Sequence, residues 1–188
     1  EEAEHYRALF PDAEVVGFDY RAQTPWEAKE EFPAFFRAQK ARCKRLSLIA
    51  NSIGAFFSLS SLSQTTVDEA YLISPVVDME RLIGNMMQWA GVTEQELAEK
   101  QEIPTQFGET LSMQYLRYVR EHPIVWQVPT RILYGEHDNL TSMQTISAFA
   151  GKTGAALTVM PGGEHWFHTE AQMQFLDRWL QTRPEAKV

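Results

Sequence analysis

The sequence is short of most features that would tie a chain to another macromolecule or to a membrane. It has one cysteine, Cys43, so no internal disulfide can form, and that usage fits a reducing, cytoplasmic setting. No run approaches the roughly 18 apolar residues that a membrane-spanning helix needs, and no signal peptide is visible. Basic charge is scarce: 17 Lys and Arg stand against 25 Asp and Glu, a net charge of −8. Nucleic acids and anionic bilayers both select basic surfaces, so neither is an expected partner. The one dense basic run, RAQKARCKR at residues 37–45, reads as the solvated last turns of a helix, where cations suit the dipole. Internal repeats and low-complexity tracts are absent.

What is there is enough apolar material for one core: 188 residues, 44% of them hydrophobic. Five short runs read as strands: EVVGFDY (14–20), RLSLIAN (45–51), EAYLISP (69–75), TRILYGE (130–136) and ALTVMPG (156–162). They are apolar without strict alternation, the pattern of strands covered on both faces in a parallel sheet. Helical stretches separate them at 27–44, 53–63, 142–153 and 170–181, the first opened by Thr24 and Pro25 and the last with Met173, Phe175, Leu176, Trp179 and Leu180 along one stripe. This rhythm predicts an α/β fold with a mostly parallel sheet flanked by helices. Residues 76–129 break the rhythm. They contain no convincing strand, and DMERLIGNMMQWAGV and TLSMQYLRYVREH read as helices, so an inserted helical cap is expected within a single domain spanning 1–188. The terminal RPEAKV is expected to fray.

One serine sits where a strand-like run meets a helix-like run, in RLSLIANSIGAFF. A strand that turns directly into a helix crowds both sides of the turn, which suits Ala50 and Gly54, and pushes the apex side chain of Ser52 outward. The first N–H groups of the helix have no internal partner and can stabilise an oxyanion. A hydroxyl nucleophile also needs a base, and the base needs an orienting carboxylate. ILYGEHDNLTS carries Asp138 just past the fourth strand, and MPGGEHWFH carries His165 in a glycine-rich loop past the fifth.

ANSIG resembles the nucleophile elbow G-x-S-x-G with alanine in the first glycine position, and Ser52, Asp138, His165 is the nucleophile–acid–base order of the α/β-hydrolase family. YGEHD and GGEHWF resemble the acid and histidine loops of small bacterial serine esterases and serine-aminopeptidase-like hydrolases. The resemblance spans nearly the whole chain. It implies Ser52 as nucleophile, His165 as general base and then acid, Asp138 as the group orienting His165, the Ile53 N–H as one oxyanion donor, and residues 76–129 as the cap. It implies a small-molecule ester substrate and no cofactor, with a peptidase, a thioesterase or a non-catalytic binding protein of the same fold as alternatives. It also implies that the chain begins partway into the fold: EEAEHYRALFP looks like the helix after a loop that supplies the second oxyanion N–H. EVVGFDY and RLSLIAN are then expected to lie one vacant strand position apart, roughly 10 Å, and not to pair.

Each residue has a rival. Asp78, after the third strand, is an alternative acid or a helix cap; His168 is an alternative base or a capping residue; His5 and His137 read as surface. Glu136, His137, Asp138, His165 and His168 lack the His-Glu-x-x-His spacing that aligns metal ligands on a helix, so no metal is expected. Met86, Met87, Trp89, Phe107 and Trp166 are candidates for an acyl pocket, or else pack the cap on the body.

Overall fold

The computed structural model describes residues 2–63, 65 and 67–182, so the RPEAKV segment lies outside the described residues. Four strands form one parallel sheet in the order β1 (Ser47–Asn51), β2 (Glu69–Ile73), β5 (Thr130–Gly135), β6 (Ala156–Met160). The register runs Asn51 beside Ile73, Ile73 beside Leu133 and Leu133 beside Thr158. The strands therefore end together, and the loops that follow them share one edge. Alternate residues serve opposite faces. Leu48, Leu72, Ile132 and Tyr134 join a large core with α2 (Pro25–Lys40), α3 (Ser52–Ser61) and α7 (Met143–Thr153). Ile49, Tyr71, Ile73 and Leu133 face a smaller core under α1 (Glu2–Leu9) and α8 (Glu170–Gln181). With both faces covered, neither can be polar, which is why the strand runs lack alternation.

Local chemistry sets the helix boundaries. Thr24 and Glu27 form a capping box at α2 with Pro25 in the first turn, and Thr169 and Gln172 form another at α8. Lys40, in the last turn of α2, donates to Asp68 at 2.6 Å, and Arg45 reaches Glu69 at 2.7 Å, so part of the basic run is held in ion pairs.

Two expectations are corrected. Residues 14–20, read as a strand, belong to no ladder among the described residues, although the absence of pairing with β1 is as expected. Their apolar side chains instead serve aromatic packing: Phe18 lies against Phe32, Phe35 and Phe36 of α2, and Tyr20 against Phe32 and Phe57. The insertion, read as free of strands, contains an antiparallel hairpin, β3 (Glu102–Pro104) with β4 (Thr110–Ser112), alongside α4 (Met79–Ala90), α5 (Glu94–Lys100) and α6 (Met113–Glu121). Three-residue strands are too short to show a period. Arg120 of α6 donates to Glu80 of α4 at 2.7 Å and to both carboxylate oxygens of Glu94 at the start of α5, at 2.6 and 2.9 Å. One guanidinium thus clamps three helices. Met79, Ile83, Met87, Leu97, Leu111 and Leu116 join the main core cluster, so the insertion shares its apolar interior with the body.

Candidate active site

β1 ends at Asn51 and α3 begins at Ser52 with no intervening loop. The turn is made by Ser52 itself, with φ of 47°. A non-glycine residue held there carries roughly 1–3 kcal/mol of backbone strain, a cost that clusters at functional positions. Asn51 gives α3 no side-chain cap, and the Ile53 N–H belongs to the first helical turn, where no intrahelical acceptor exists. Gly54 lies close under Tyr20: a Cβ there would meet the phenol oxygen at 3.4 Å.

Asp138 follows β5 on a tight turn in which its N–H donates to the Gly135 carbonyl at 3.0 Å. Its side chain is fully buried. One carboxylate oxygen accepts the N–H groups of Leu140 at 2.8 Å and Thr141 at 3.0 Å, and the other accepts from His165 Nδ1 at 2.7 Å. Asp138 lies near Tyr134, where burial first and the acid's charge second push the phenol above its ordinary value. Tyr134 accordingly stays a donor, to the Thr141 carbonyl at 2.7 Å.

His165, only 15% exposed at its side chain, completes the relay: its Nε2 lies 2.9 Å from Ser52 Oγ. The tautomer follows from the partners, with Nδ1 donating to the carboxylate and Nε2 free to accept from the hydroxyl. Ser52, His165 and Asp138 thus meet in one chain of hydrogen bonds. Asp78 caps α4 instead, accepting from the Arg81 N–H at 2.9 Å. The exposed His168 donates its N–H to Gln172 and places Nδ1 against the Trp166 carbonyl. His137 is exposed, and His5 pairs with Asp177 at 2.7 Å.

Sequence reasoning missed the latch that joins the acid and histidine loops. The Glu136 N–H donates to Met160, the His137 N–H to Gly163 at 2.7 Å, and the Glu136 carboxylate accepts from the Gly162 N–H at 2.8 Å. Gly135 permits this approach, because a Cβ on it would lie 2.4 Å from the Glu164 carbonyl oxygen. The signal was present in the glycines of YGE and PGGE, which mark close backbone contact as well as turns.

The five pocket candidates are dispersed. Met87 is buried in the core and Met86 packs beside it. Trp89 and Phe107 are exposed and meet edge to face at 6.2 Å. Trp166 stands 74% exposed next to His165, and Ile53, 38% exposed, adjoins Ser52. Among the described residues no group of three His, Cys, Asp or Glu is arranged to hold a metal ion, and no helix is long and apolar enough to cross a membrane.

No family model matches the chain, and no curated protein does. Solved structures do. A protein of Agrobacterium vitis S4 classed as a hydrolase superposes with a TM-score of 0.69 at 16% identity, over 96% of this chain and 80% of that one. Est1E from Butyrivibrio proteoclasticus gives 0.59 at 16% identity, over 85% and 72%. The esterase domain of a Rhodothermus marinus protein gives 0.57 at 12% identity, over 81% and 66%. At such identities the likeness is one of architecture: the chain has the α/β-hydrolase fold.

Proposed function

We propose that this protein is a serine hydrolase that cleaves a small carboxylic ester through an acyl-enzyme. The observation that carries the reading is the hydrogen-bonded relay of 2.9 Å from Ser52 Oγ to His165 Nε2 and 2.7 Å from His165 Nδ1 to Asp138. Ser52 Oγ attacks the carbonyl carbon while its proton passes to His165 Nε2. Asp138 stabilises the imidazolium without taking the proton. The Ile53 N–H faces the developing oxyanion. Collapse of the tetrahedral intermediate breaks the ester C–O bond, and the alcohol leaves with the proton from His165. Water, deprotonated by His165, then attacks the acyl carbon and releases the carboxylic acid and Ser52. That a Rhodothermus marinus domain of similar fold is described as an esterase supports an ester as the substrate. Residues 76–129 act as the cap: the segment leaves the sheet at Val76, whose N–H donates to the Ser52 carbonyl at 3.2 Å. Ile53 and Trp166, bonded in sequence to the nucleophile and the base, offer the exposed apolar surface nearest the reacting atoms.

The test is a panel of 4-nitrophenyl esters of increasing acyl length, with Ser52→Ala as blank, and labelling by a fluorophosphonate. Turnover that vanishes in Ser52→Ala, with the label on Ser52, is expected. Label on another residue, or label retained by Ser52→Ala, overturns the assignment.

A further inference from the structure

We infer that Tyr134 is a positioning residue for Asp138: its phenol, fixed in the core, holds the far end of the acid loop and so keeps one carboxylate oxygen on His165. The inference rests on the serine-hydrolase reading and deepens it.

Tyr134 is the last but one residue of β5 and is only 2% exposed. Its ring belongs to the main core cluster, together with Ile132 on the same face of the strand and Ile146 and Phe149 of α7. A phenylalanine would fill that space equally well, without taking a hydroxyl out of water. The hydroxyl has a partner: it donates to the Thr141 carbonyl at 2.7 Å, seven residues further on. Burial, and then the charge of Asp138, push the phenol above its ordinary value, so the donor keeps its proton. Asp138 lies inside the loop that this bond closes. At the near end of the loop the Asp138 N–H donates to the Gly135 carbonyl at 3.0 Å. The acid loop is therefore fastened at both ends to the last two residues of β5.

Thr141 passes the restraint on. Its carbonyl accepts from Tyr134, and its N–H donates at 3.0 Å to the Asp138 oxygen that also takes the Leu140 N–H at 2.8 Å. A further tie on Thr141, from its hydroxyl to the Pro75 carbonyl, is 3.5 Å long and weak. With one oxygen held by two N–H groups, the Asp138 carboxylate resists turning about its Cβ–Cγ bond, and its second oxygen stays 2.7 Å from His165 Nδ1. Without the phenol bond the Thr141 peptide is free to tilt, and one of those two anchors weakens. The carboxylate itself remains, so the loss is a small part of that caused by removing it.

The test is Tyr134→Phe, which deletes one oxygen atom. Rates are expressed per serine titrated by a fluorophosphonate, so unfolded protein does not count. On a short 4-nitrophenyl ester, kcat is expected to fall by roughly 5- to 10-fold, the factor that one neutral hydrogen bond supplies, with KM unchanged because the phenol touches no substrate. In the Asp138→Asn background the same substitution is expected to change kcat by less than about 2-fold, because the carboxylate it positions is gone. A bond that merely stabilised the fold would lower the rate alike in both backgrounds. The low-field proton resonance of the His165 Nδ1–H reads the contact with no substrate present, and it is expected to shift or broaden in Tyr134→Phe. Wild-type kcat per titrated serine, an equal loss in both backgrounds, or an unmoved resonance overturns the role of Tyr134 and leaves the hydrolase reading standing. If the wild-type protein hydrolyses no ester and Ser52 takes no label, the hydrolase reading falls and this role falls with it.

Discussion

Replacing Gly135 by alanine adds a single methyl group far from any substrate, yet the geometry makes it a test of the whole relay. The new Cβ would sit 2.4 Å from the Glu164 carbonyl oxygen, 2.6 Å from that of Gly163 and 2.7 Å from the Gly163 carbonyl carbon. A carbon meets a carbonyl oxygen at about 3.3 Å at the closest, so the histidine loop must recede by roughly 1 Å. No flexible side chain absorbs the shift, because all three contacts are backbone. The His137 N–H to Gly163 bond of 2.7 Å, part of the latch, lies directly in the way. His165 rides on this loop, and 1 Å added to its 2.9 Å contact with Ser52 takes the pair out of hydrogen-bond range. A misplacement of that size costs about 10²-fold in rate. The overpacking itself destabilises by about 1–3 kcal/mol. The assays are kcat/KM on a short aryl ester, the rate of fluorophosphonate labelling, and the urea midpoint. Gly151→Ala in α7, where a Cβ meets nothing within 4 Å, is the control, and it should stabilise by up to about 1 kcal/mol with activity unchanged. If Gly135→Ala retains wild-type activity, the claim that contact between the two loops sets the relay is refuted.

Other expectations follow from individual contacts. Asp138→Asn should lower kcat by about 10⁴-fold, as loss of the carboxylate does in a serine protease, because the imidazole then adopts the wrong tautomer; Asp78→Asn, which keeps a good N-cap, should cost far less, and the reverse order would exchange their roles. Gly54→Ala should be tolerated at a 3.4 Å contact with the Tyr20 phenol, whereas Gly54→Leu should displace Tyr20 and depress labelling of Ser52, which Tyr20→Ala should partly restore. The hydrogen bond from Lys40, then that from the Leu46 N–H, holds the Asp68 carboxyl below its ordinary range. A carboxyl lowered on folding stabilises above its unfolded pKa and loses that contribution as pH falls through its folded value. Lys40→Met should therefore flatten the acid limb of the urea midpoint below about pH 4 and leave the slope near neutrality unchanged; an unchanged acid limb would count against the pair.

How much could be read from the sequence depended on whether the signal was local. The strands of the sheet show as apolar runs because both faces are buried, and Ser52, Asp138 and His165 each lie in the segment that follows one of them. The helix caps are equally local, as Thr24 with Glu27 and Thr169 with Gln172 show. Residues 14–20 failed because a short apolar run reports which side chains are buried, not which backbone groups are paired; Phe18 and Tyr20 pack on helices. The hairpin of β3 and β4 failed for lack of length. Arg120 was illegible for another reason: its partners lie 40 and 26 residues away, and any of the chain's 25 acids was available to it. The expected pocket residues share the aromatic and thioether composition of a core, and composition does not separate Met87, inside, from Trp166, outside.

Two strand ends, side by side in the sheet, carry the same departure from ordinary geometry. Ser52 has φ of 47° and Ser74, just past β2, has φ of 42°. Ser74 turns the chain so that its three-residue segment grips both halves of the relay. Its own N–H donates to Leu133 at 2.8 Å, the Pro75 carbonyl accepts a long 3.5 Å bond from the Thr141 hydroxyl, and the Val76 N–H donates to the Ser52 carbonyl at 3.2 Å. Thr141 in turn gives its N–H to Asp138. The Ser52 peptide and the Asp138 loop are therefore tied to one short turn, and neither strained serine can relax without disturbing the other's hydrogen bonds. The Ser74 hydroxyl is buried and has no partner among the described residues, so its contribution to this turn is made by its backbone. Strain of this kind persists only where the surroundings over-determine the conformation. Here they do so from three strands at once, which keeps Ser52 Oγ within hydrogen-bond reach of His165; in the hydrolase proposed above, that removes reorganisation from the barrier.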